Sequence, residues 1–188
     1  MILTHGANSL PRDSVVIDGT RYKTVKIGTQ LWMAENLNSR FNLSSGTNMN
    51  VPSCTYYDGE STYGKYGLLY NGRALYYLNS NKSTYFPGWH IPSVSEINQL
   101  ITSTGSIAAA LKSATEWNGT DAYGFNALPS GYFSPSSTFI DMGSYFWMGS
   151  SPSSYTSDID CFSLGSEDTI YTLTRPNRCL VSIRLIHD

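Results

Sequence analysis

The chain has 188 residues, which is enough for one domain that buries most of its unfolded surface. Only 14% of the residues are charged, whereas 13% are aromatic, with 14 tyrosines. The net charge of −2 argues against a nucleic-acid partner, because phosphate contacts need clustered Lys and Arg. No run of about 18 apolar residues occurs, so no membrane-spanning helix is expected.

Residues 1–14 are predicted to form a lead segment before a single domain over residues 15–188. The first six residues have neither a basic region nor a hydrophobic core, so they do not resemble a signal peptide. Val15–Ile17 and Tyr22–Ile27 flank Asp18-Gly19, which is a strong hairpin turn signal. A further turn and strand are predicted over residues 28–32.

The next part of the chain predicts loops with little regular structure. Residues 39–53 are rich in Asn and Ser, and residues 56–67 are rich in Gly and Tyr, so both are expected to be long loops. Residues 68–70 predict a short strand and residues 73–78 a short helix.

The centre of the chain, residues 86–96, predicts a strand, a sharp turn and a capped helix. Pro87-Gly88 is a turn signal, and residues 89–91 alternate between apolar and polar side chains. Ser93 and Glu96 have the spacing of a capping box, and apolar residues at 97, 100 and 101 predict a helix over residues 94–101. We expect this stretch to be a structural hinge between a sheet and a helix.

The second half predicts one more short helix over residues 107–112 and a short apolar strand over residues 146–148. Residues 149–177 are expected to be loops with short strands, and residues 181–186 a terminal strand. The sequence therefore predicts an α+β domain with two or three short helices, short antiparallel strands and long ordered loops.

Six short motifs occur in an order that resembles a known family. They are Trp32-Met33-Ala34-Glu35-Asn36-Leu37, Tyr66-Gly67-Leu68-Leu69-Tyr70, Pro87-Gly88-Trp89-His90-Ile91-Pro92, Leu111-Lys112-Ser113, Tyr123-Gly124-Phe125-Asn126-Ala127-Leu128-Pro129-Ser130-Gly131-Tyr132 and Phe146-Trp147. Together they resemble the Fibrobacter succinogenes major paralogous domain, from about Val15 to Asp188. The resemblance implies a C-type-lectin-like fold, in the branch shared with formylglycine-generating enzyme and with the variable proteins of diversity-generating retroelements in gut phages and prophages.

The resemblance also implies where ligand contacts lie, because the retroelement proteins diversify the stretch after the Phe-Trp strand. Residues 145–178 are rich in Tyr, Ser, Thr, Asp and Asn, which is the mixture that mutagenesis of adenines would leave and also that of an ordinary polar loop. Tyrosines on a rigid scaffold limit the ordering cost of binding. The expected contacts are Tyr145, Trp147, Tyr155, Asp158, Asp160, Asp168, Tyr171, Thr172, Arg175 and Asn177.

These observations predict a ligand- or receptor-binding display protein that is extracellular or virion-associated. Its expected partner is a cell-surface protein or a glycan, and a tail or fibre assembly would make it oligomeric. The alternatives are a secreted or lipid-anchored adhesin and a calcium-dependent glycan binder. An oxidase related to formylglycine-generating enzyme is a further alternative. We expect no cofactor.

Catalytic and metal-binding patterns are weak in this sequence. The oxidase would need a reactive cysteine pair and copper, and Cys161 and Cys179 lie in the appropriate half, but no surrounding motif matches. No CxxC, HExxH or clustered histidines occur, so a zinc-type site is not expected. The triplet that begins at Arg175 has an arginine where a calcium site needs a carboxylate, and residues 158–168 read as a solvated acidic loop. We predict that the protein is not an enzyme.

Several large or reactive side chains are expected to be structural. Trp32, Trp89, Trp117 and Trp147 are predicted core anchors, with Trp147 at the border of the binding face. We expect Arg184 to pair with a buried carboxylate such as Glu35 or Asp141. The family often has a cysteine before the Pro-Gly-Trp motif and another in the last strand, where this chain has Phe86 and Leu185. The resemblance therefore leaves Cys54 without its usual partner, and whether Cys161 and Cys179 form a bridge is left open.

Overall fold

The computed structural model describes residues 14–188, which contain fourteen strands, three α-helices and three 3-10 helices. The strands are β1 (Ser14–Ile17), β2 (Thr20–Ile27), β3 (Gln30–Met33), β4 (Ser44–Ser45), β5 (Ser53–Thr55), β6 (Leu69–Asn71), β7 (Trp89–His90), β8 (Ser130–Phe133), β9 (Phe139–Met142), β10 (Phe146–Gly149), β11 (Ile159–Leu164), β12 (Ile170–Arg175), β13 (Leu180–Val181) and β14 (Ile186–His187). The helices are α1 (Gly72–Ser80), α2 (Lys82–Tyr85) and α3 (Val94–Ser103), with 3-10 helices at Tyr57–Gly59, Ser61–Tyr66 and Ala108–Ala110. This confirms the predicted α+β class. Residues 1–13 of the predicted lead segment lie outside the described residues, and Ser14 begins β1.

The strands form three sheets. The first has the order β1-β2-β3-β14-β7, so the earliest and the latest strands belong to one sheet. The second has the order β4-β5-β6-β13-β8-β9, and the third has the order β10-β11-β12. The paired strands run antiparallel except β4 with β5.

Two predictions from local chemistry are confirmed. β1 and β2 form the expected hairpin, and both Asp18 (φ 49°) and Gly19 (φ 76°) adopt the left-handed backbone that a tight two-residue turn requires. Helix α3 begins with the expected capping box. The Ser93 hydroxyl accepts from the Glu96 backbone N–H at 3.3 Å, and the Glu96 carboxylate accepts from the Ser93 N–H at 2.7 Å.

Most buried apolar side chains fall in two large clusters that meet at the three-stranded sheet. The first cluster includes Leu75 and Leu78 of α1 together with Trp147 of β10. The second includes Leu100 of α3 together with Phe146, the neighbour of Trp147 in β10. Because successive residues of a strand point to opposite faces, the sheet packs one face on each cluster.

The predicted helix over residues 107–112 is wrong, because only Ala108–Ala110 form a 3-10 turn. Lys112 is 1% exposed, and its ammonium donates to the carbonyls of Gly165, Ser166 and Glu167 at 3.2–3.3 Å. These long-range bonds fix the chain in a path that the helix propensity of the alanines does not specify. Helix α2 was not predicted. The expected loops at 39–53 and 56–67 hold β4 and two 3-10 helices.

Two further corrections concern the last forty residues. Residues 149–177 hold loops and strands as expected, but β11 and β12 each have six residues and pair along their whole length, so the strands are longer than predicted. The predicted terminal strand over residues 181–186 is broken into β13 and β14. β13 pairs with β6 and β8, whereas β14 pairs with β3 and β7, so the chain crosses from one sheet to another between them.

Candidate functional site

The register of the three-stranded sheet separates its side chains into two faces. Trp147, Ser163 and Tyr171 occupy one row of cross-strand partners, whereas Phe146, Leu164 and Ile170 occupy the adjacent row. Adjacent rows point to opposite sides. We call these the Trp147 face and the Phe146 face.

The Phe146 face is buried under α3. Phe146 and Phe162 are 0% exposed, and their ring centroids lie 6.2 Å apart in an edge-to-face arrangement. Phe125 and Trp32 extend this contact, with centroid distances of 6.3 Å from Phe125 to Phe146 and 6.1 Å from Trp32 to Phe125. Such aromatic contacts add stability beyond their buried area, so this face is structural.

The Trp147 face carries a shallow depression where it extends beyond the first core cluster. Its volume is about 370 Å³, and it is lined by Asp141, Tyr145, Trp147, Tyr171, Leu173 and Arg175. The middle strand β11 places the small side chain of Ser163 between Trp147 of β10 and Tyr171 of β12. Large residues therefore stand on both sides of a low centre, which gives the depression its shape.

Arg175 lies over the aromatic rings of this face. Its guanidinium carbon is 4.6 Å from the centroid of Trp147 and 5.3 Å from that of Tyr132, which is the geometry of a cation–π contact. Its Nε is buried and has no hydrogen-bond partner among residues 14–188, and no carboxylate in that range lies within ion-pair distance. A buried donor without an acceptor is unfavourable, so the position of this guanidinium is not explained by hydrogen bonds to the described residues.

Two carboxylates border the depression. Asp141 accepts a hydrogen bond from the indole N–H of Trp147 at 3.2 Å, and it has a left-handed backbone with φ 68°. Glu167 accepts from the hydroxyls of Tyr171 at 3.0 Å and Tyr145 at 3.5 Å. The bond from Tyr171 is the main cause that lowers the pKa of Glu167, and the Glu167 charge in turn raises the pKa of Tyr145. At neutral pH the carboxylate is therefore ionised and the Tyr145 phenol is protonated.

The structure brings together only four of the ten predicted contact residues: Tyr145, Trp147, Tyr171 and Arg175. Two others, Asp160 and Thr172, line a separate groove of about 250 Å³ on the opposite side of β12, against Val94 and Ile97 of α3. In that groove the hydroxyl of Thr174 donates to Asp160 at 2.7 Å.

Tyr155, Asp158 and Asn177 lie at a third place, near the start of α1. Asn177 donates its backbone N–H to Asp158 at 3.3 Å, and the ring of Tyr155 lies 4.5 Å from the guanidinium carbon of Arg73. These residues connect the loop after β10 to the segment after β12. Their spacing in the sequence does not predict this contact.

The tenth residue, Asp168, holds the tip of the β11–β12 hairpin. Its carboxylate accepts a hydrogen bond from the backbone N–H of Ala109. Burial lowers the pKa of Lys112, and the negative charges of Asp168 and Glu167 partly offset this shift. Asp168 therefore fixes the hairpin to the core of the domain.

Tyr132 and Asp141 were not among the predicted contacts. Both lie upstream of the Phe-Trp strand. Asp141 lines the depression and Tyr132 lies under the guanidinium of Arg175, because β8 packs beside β10 and the backbone N–H of Tyr145 donates to the Asp141 carbonyl. No local sequence signal marks either residue as part of a site, since their position depends on pairing between distant strands.

The cysteines and Arg184 have the properties of core residues. All three cysteines are buried free thiols, and burial raises the pKa of Cys54 and Cys179 to about 11 and that of Cys161 still further. The expected carboxylate partner of Arg184 is wrong. Arg184 donates instead to the Asn36 side chain at 2.7 Å and to the carbonyls of Phe125 and Asn126.

Comparison with family models gives one match, to the Fibrobacter succinogenes major domain, over residues 25–187. The chain belongs to this family. The match spans β3, where the first of the six motifs lies, and the whole Trp147 face. Comparison with curated proteins and with solved structures gives no match. Within residues 14–188 no helix is long and apolar enough to cross a membrane.

Proposed function

We propose that this member of the family is a ligand-binding display protein whose contact surface is the depression on the Trp147 face. The observation that carries the proposal is Arg175, a partly exposed residue whose guanidinium lies over Trp147 and Tyr132 beside an open depression and donates to no described residue. A purely structural arginine at this depth would be expected to have its donors paired.

The composition and rigidity of this surface support the proposal. Trp, Tyr and Arg are the residues that dominate binding energy at protein surfaces. Here they are already held in place, because Asp141 fixes the indole of Trp147 and Glu167 holds the hydroxyls of Tyr145 and Tyr171. A surface that is ordered before binding loses less conformational entropy when the ligand arrives.

The wider setting belongs to the same proposal. We place the domain in the C-type-lectin-like group and on a phage particle or bacterial surface, as a variable protein of a diversity-generating retroelement. Membership of the family, the short helices and the Tyr- and Ser-rich composition support this assignment. A neighbouring reverse-transcriptase gene and a near-copy of the 3′ end that differs at adenines would support it, and their absence would count against a retroelement.

The alternatives have less support. The cysteine thiols are buried and have raised pKa values, whereas a catalytic thiol needs a lowered one, so we propose a binding protein rather than an oxidase. For a calcium site, several carboxylates should converge. Asp158 and Asp160 instead bind the separate partners Asn177 and Thr174, and within the described residues no three acidic, His or Cys side chains form a metal-ligand group.

The proposal is tested by measuring how labelled protein binds to a panel of bacterial and mammalian cells. For a cell type that binds, Tyr171→Ala and Arg175→Ala should each weaken binding by about 30-fold or more, the effect of truncating a true anchor. Tyr123→Ala is the matched control, because Tyr123 is a 40% exposed tyrosine outside the depression. Unchanged binding by both site variants, with loss in a groove variant such as Thr172→Lys, would place the contact surface elsewhere.

A further inference from the structure

The depression on the Trp147 face offers both a free donor and a free acceptor. Arg175 lines the depression and is partly exposed, and no described residue accepts a hydrogen bond from its guanidinium. Asp141 uses Oδ2 to accept from Trp147, and no described residue donates to its Oδ1. A ligand that satisfies both residues must accept a hydrogen bond from the guanidinium and donate one to the carboxylate.

The charges around the depression restrict the class of ligand. The formal charges of Arg175 and Asp141 cancel, and Glu167 adds a negative charge at the rim. A carboxylate or phosphate would be attracted by Arg175 but repelled by Asp141 and Glu167. An ammonium group would be repelled by the positive charge of Arg175. A neutral ligand with several hydroxyl groups avoids both repulsions, because each hydroxyl donates and accepts.

The exposed rings supply the remaining contact. Tyr145 and Tyr171 are only partly buried, and their centroids lie 6.3 Å apart at an interplanar angle of 46°. They form a shallow aromatic wall, while Trp147 is only 4% exposed and supports Arg175 from below. The volume of about 370 Å³ is near the lower end for small-molecule sites, so a small ring fits better than a large ligand.

We infer that the depression binds a neutral sugar ring of a glycan directly, with hydroxyl groups bonded to Arg175 and Asp141 and the apolar ring face against Tyr145 and Tyr171. The inference rests on the proposed function and adds the ligand class to it. Binding is expected to be independent of calcium, because a divalent cation beside Asp141 would also lie near the fixed positive charge of Arg175.

The test uses immobilised neutral sugars, namely glucose, galactose, mannose, fucose and N-acetylglucosamine and short oligosaccharides of each. Glucuronic acid and polyglutamate serve as acidic probes. The full chain should bind at least one neutral sugar in the presence of EDTA. Arg175→Met, which keeps an apolar side chain over Trp147, and Asp141→Asn should each lower the affinity by about tenfold or more.

Arg73→Met is the matched control, because Arg73 also lies over a tyrosine, at 4.5 Å from the Tyr155 centroid, but outside the depression. It should bind sugar as the unmodified protein does. Melting temperatures of all three variants establish that each is folded. If the variant at one of the two positions does not fold, the inference is tested with the other variant and with competition by free sugar for binding to the unmodified protein.

The outcomes separate the ligand class from the proposed function. Binding to acidic probes alone, strengthened by Asp141→Asn, would overturn the neutral-sugar inference, as would binding that EDTA abolishes. If no sugar binds but Arg175→Met still abolishes cell binding, the proposed surface stands and the sugar class is wrong. If Arg175→Met leaves cell binding unchanged, both proposals are wrong.

Discussion

Two arginines of this domain, Arg184 and Arg175, each lie over a pair of aromatic rings, but only the guanidinium of Arg184 has hydrogen-bond acceptors among the described residues. Arg184 is 1% exposed, and its guanidinium carbon lies 4.3 Å from the centroid of Phe125 and 5.2 Å from that of Phe146. All three of its nitrogens donate to described residues, Asn36 and Asn126 among the acceptors. Burial lowers its pKa to about 9, although nearby carboxylates oppose this, so it remains charged at neutral pH.

Arg175 has similar ring distances but lacks such acceptors. Its Nε is buried and unpaired among the described residues, and an open depression lies beside it. Residue type and aromatic packing therefore do not separate Arg184, which is structural, from Arg175, which we propose to be a ligand contact. The state of the hydrogen bonds does, because a fully bonded guanidinium has little to offer a ligand.

The largest expected difference in stability is between Phe146, on the buried face of β10, and Tyr145, which directly precedes β10 at the edge of the depression. Phe146→Ala would empty a fully buried site on the Phe146 face and should lower the free energy of unfolding by about 3–5 kcal/mol. Tyr145→Ala, one residue away and partly exposed, should cost less than about 1 kcal/mol. Urea denaturation measures both. Equal losses of stability would show that Tyr145 is as much a part of the core as Phe146.

Replacement of the two arginines should likewise have different effects on stability, with the larger loss at Arg184. Arg184→Met leaves the acceptors at Asn36, Phe125 and Asn126 without a donor and should cost about 3 kcal/mol. Arg175→Met removes no hydrogen bond to a described residue and should change stability by less than about 1 kcal/mol. A large loss of stability in Arg175→Met would mean that this residue is structural as well.

A smaller effect tests whether the helix that covers the Phe146 face can be weakened without harming the binding surface. Ser93→Ala removes the N-cap of α3 and should cost about 1 kcal/mol in denaturant titrations. Ser95→Ala, at an exposed position in the first turn of the same helix, should be close to neutral. Binding to the cognate cells should be unaffected by either change. Loss of binding in Ser93→Ala alone would connect α3 to the contact surface.

The smallest effect depends on pH. Burial raises the pKa of Glu96, but hydrogen bonds from Ser93 and His90 outweigh it, so the net pKa lies below the usual 4.5. A carboxylate whose folded pKa is lowered stabilises the fold above its unfolded pKa, and this contribution is lost as the pH falls through the folded value. Glu96→Gln should therefore be less stable than the unmodified protein at about pH 7, with the difference narrowing at about pH 3.

Glu60→Gln is the control for this experiment, because Glu60 is exposed and its carboxylate makes no hydrogen bond with a described residue. Its stability should follow that of the unmodified protein at both pH values. A gap between the Glu96→Gln and unmodified proteins that stays constant with pH would indicate that the substitution acts through packing rather than through charge.

Local chemistry predicted the elements that are specified within a few residues. The Asp18-Gly19 hairpin and the Ser93–Glu96 capping box have their signal in the turn or the first helical turn itself, and both are confirmed. The family was also recognisable, because its motifs are short and ordered. Short strands were expected within residues 149–177, but β11 and β12 were not located, because their length and register depend on the pairing of β11 with both β10 and β12.

The candidate site was predictable only in part for the same reason. Tyr145, Trp147, Tyr171 and Arg175 converge because the register places them on one face, whereas Thr172 lies on the opposite face of β12. A one-residue difference in position thus moves a side chain from one depression to another. Asp141 joins the site through β9, which no sequence pattern connects to β12.

Strand β12 forms the outer edge of its sheet, and Ile170 and Leu173 are the apolar residues of its six that pack against the core clusters. The other four, Tyr171, Thr172, Thr174 and Arg175, border either the depression or the groove. We therefore expect replacement of these four residues to change the stability of the domain little while it alters the depression and the groove. As a protein-engineering scaffold, the domain would offer β12 as a short cassette for the selection of new binding specificities.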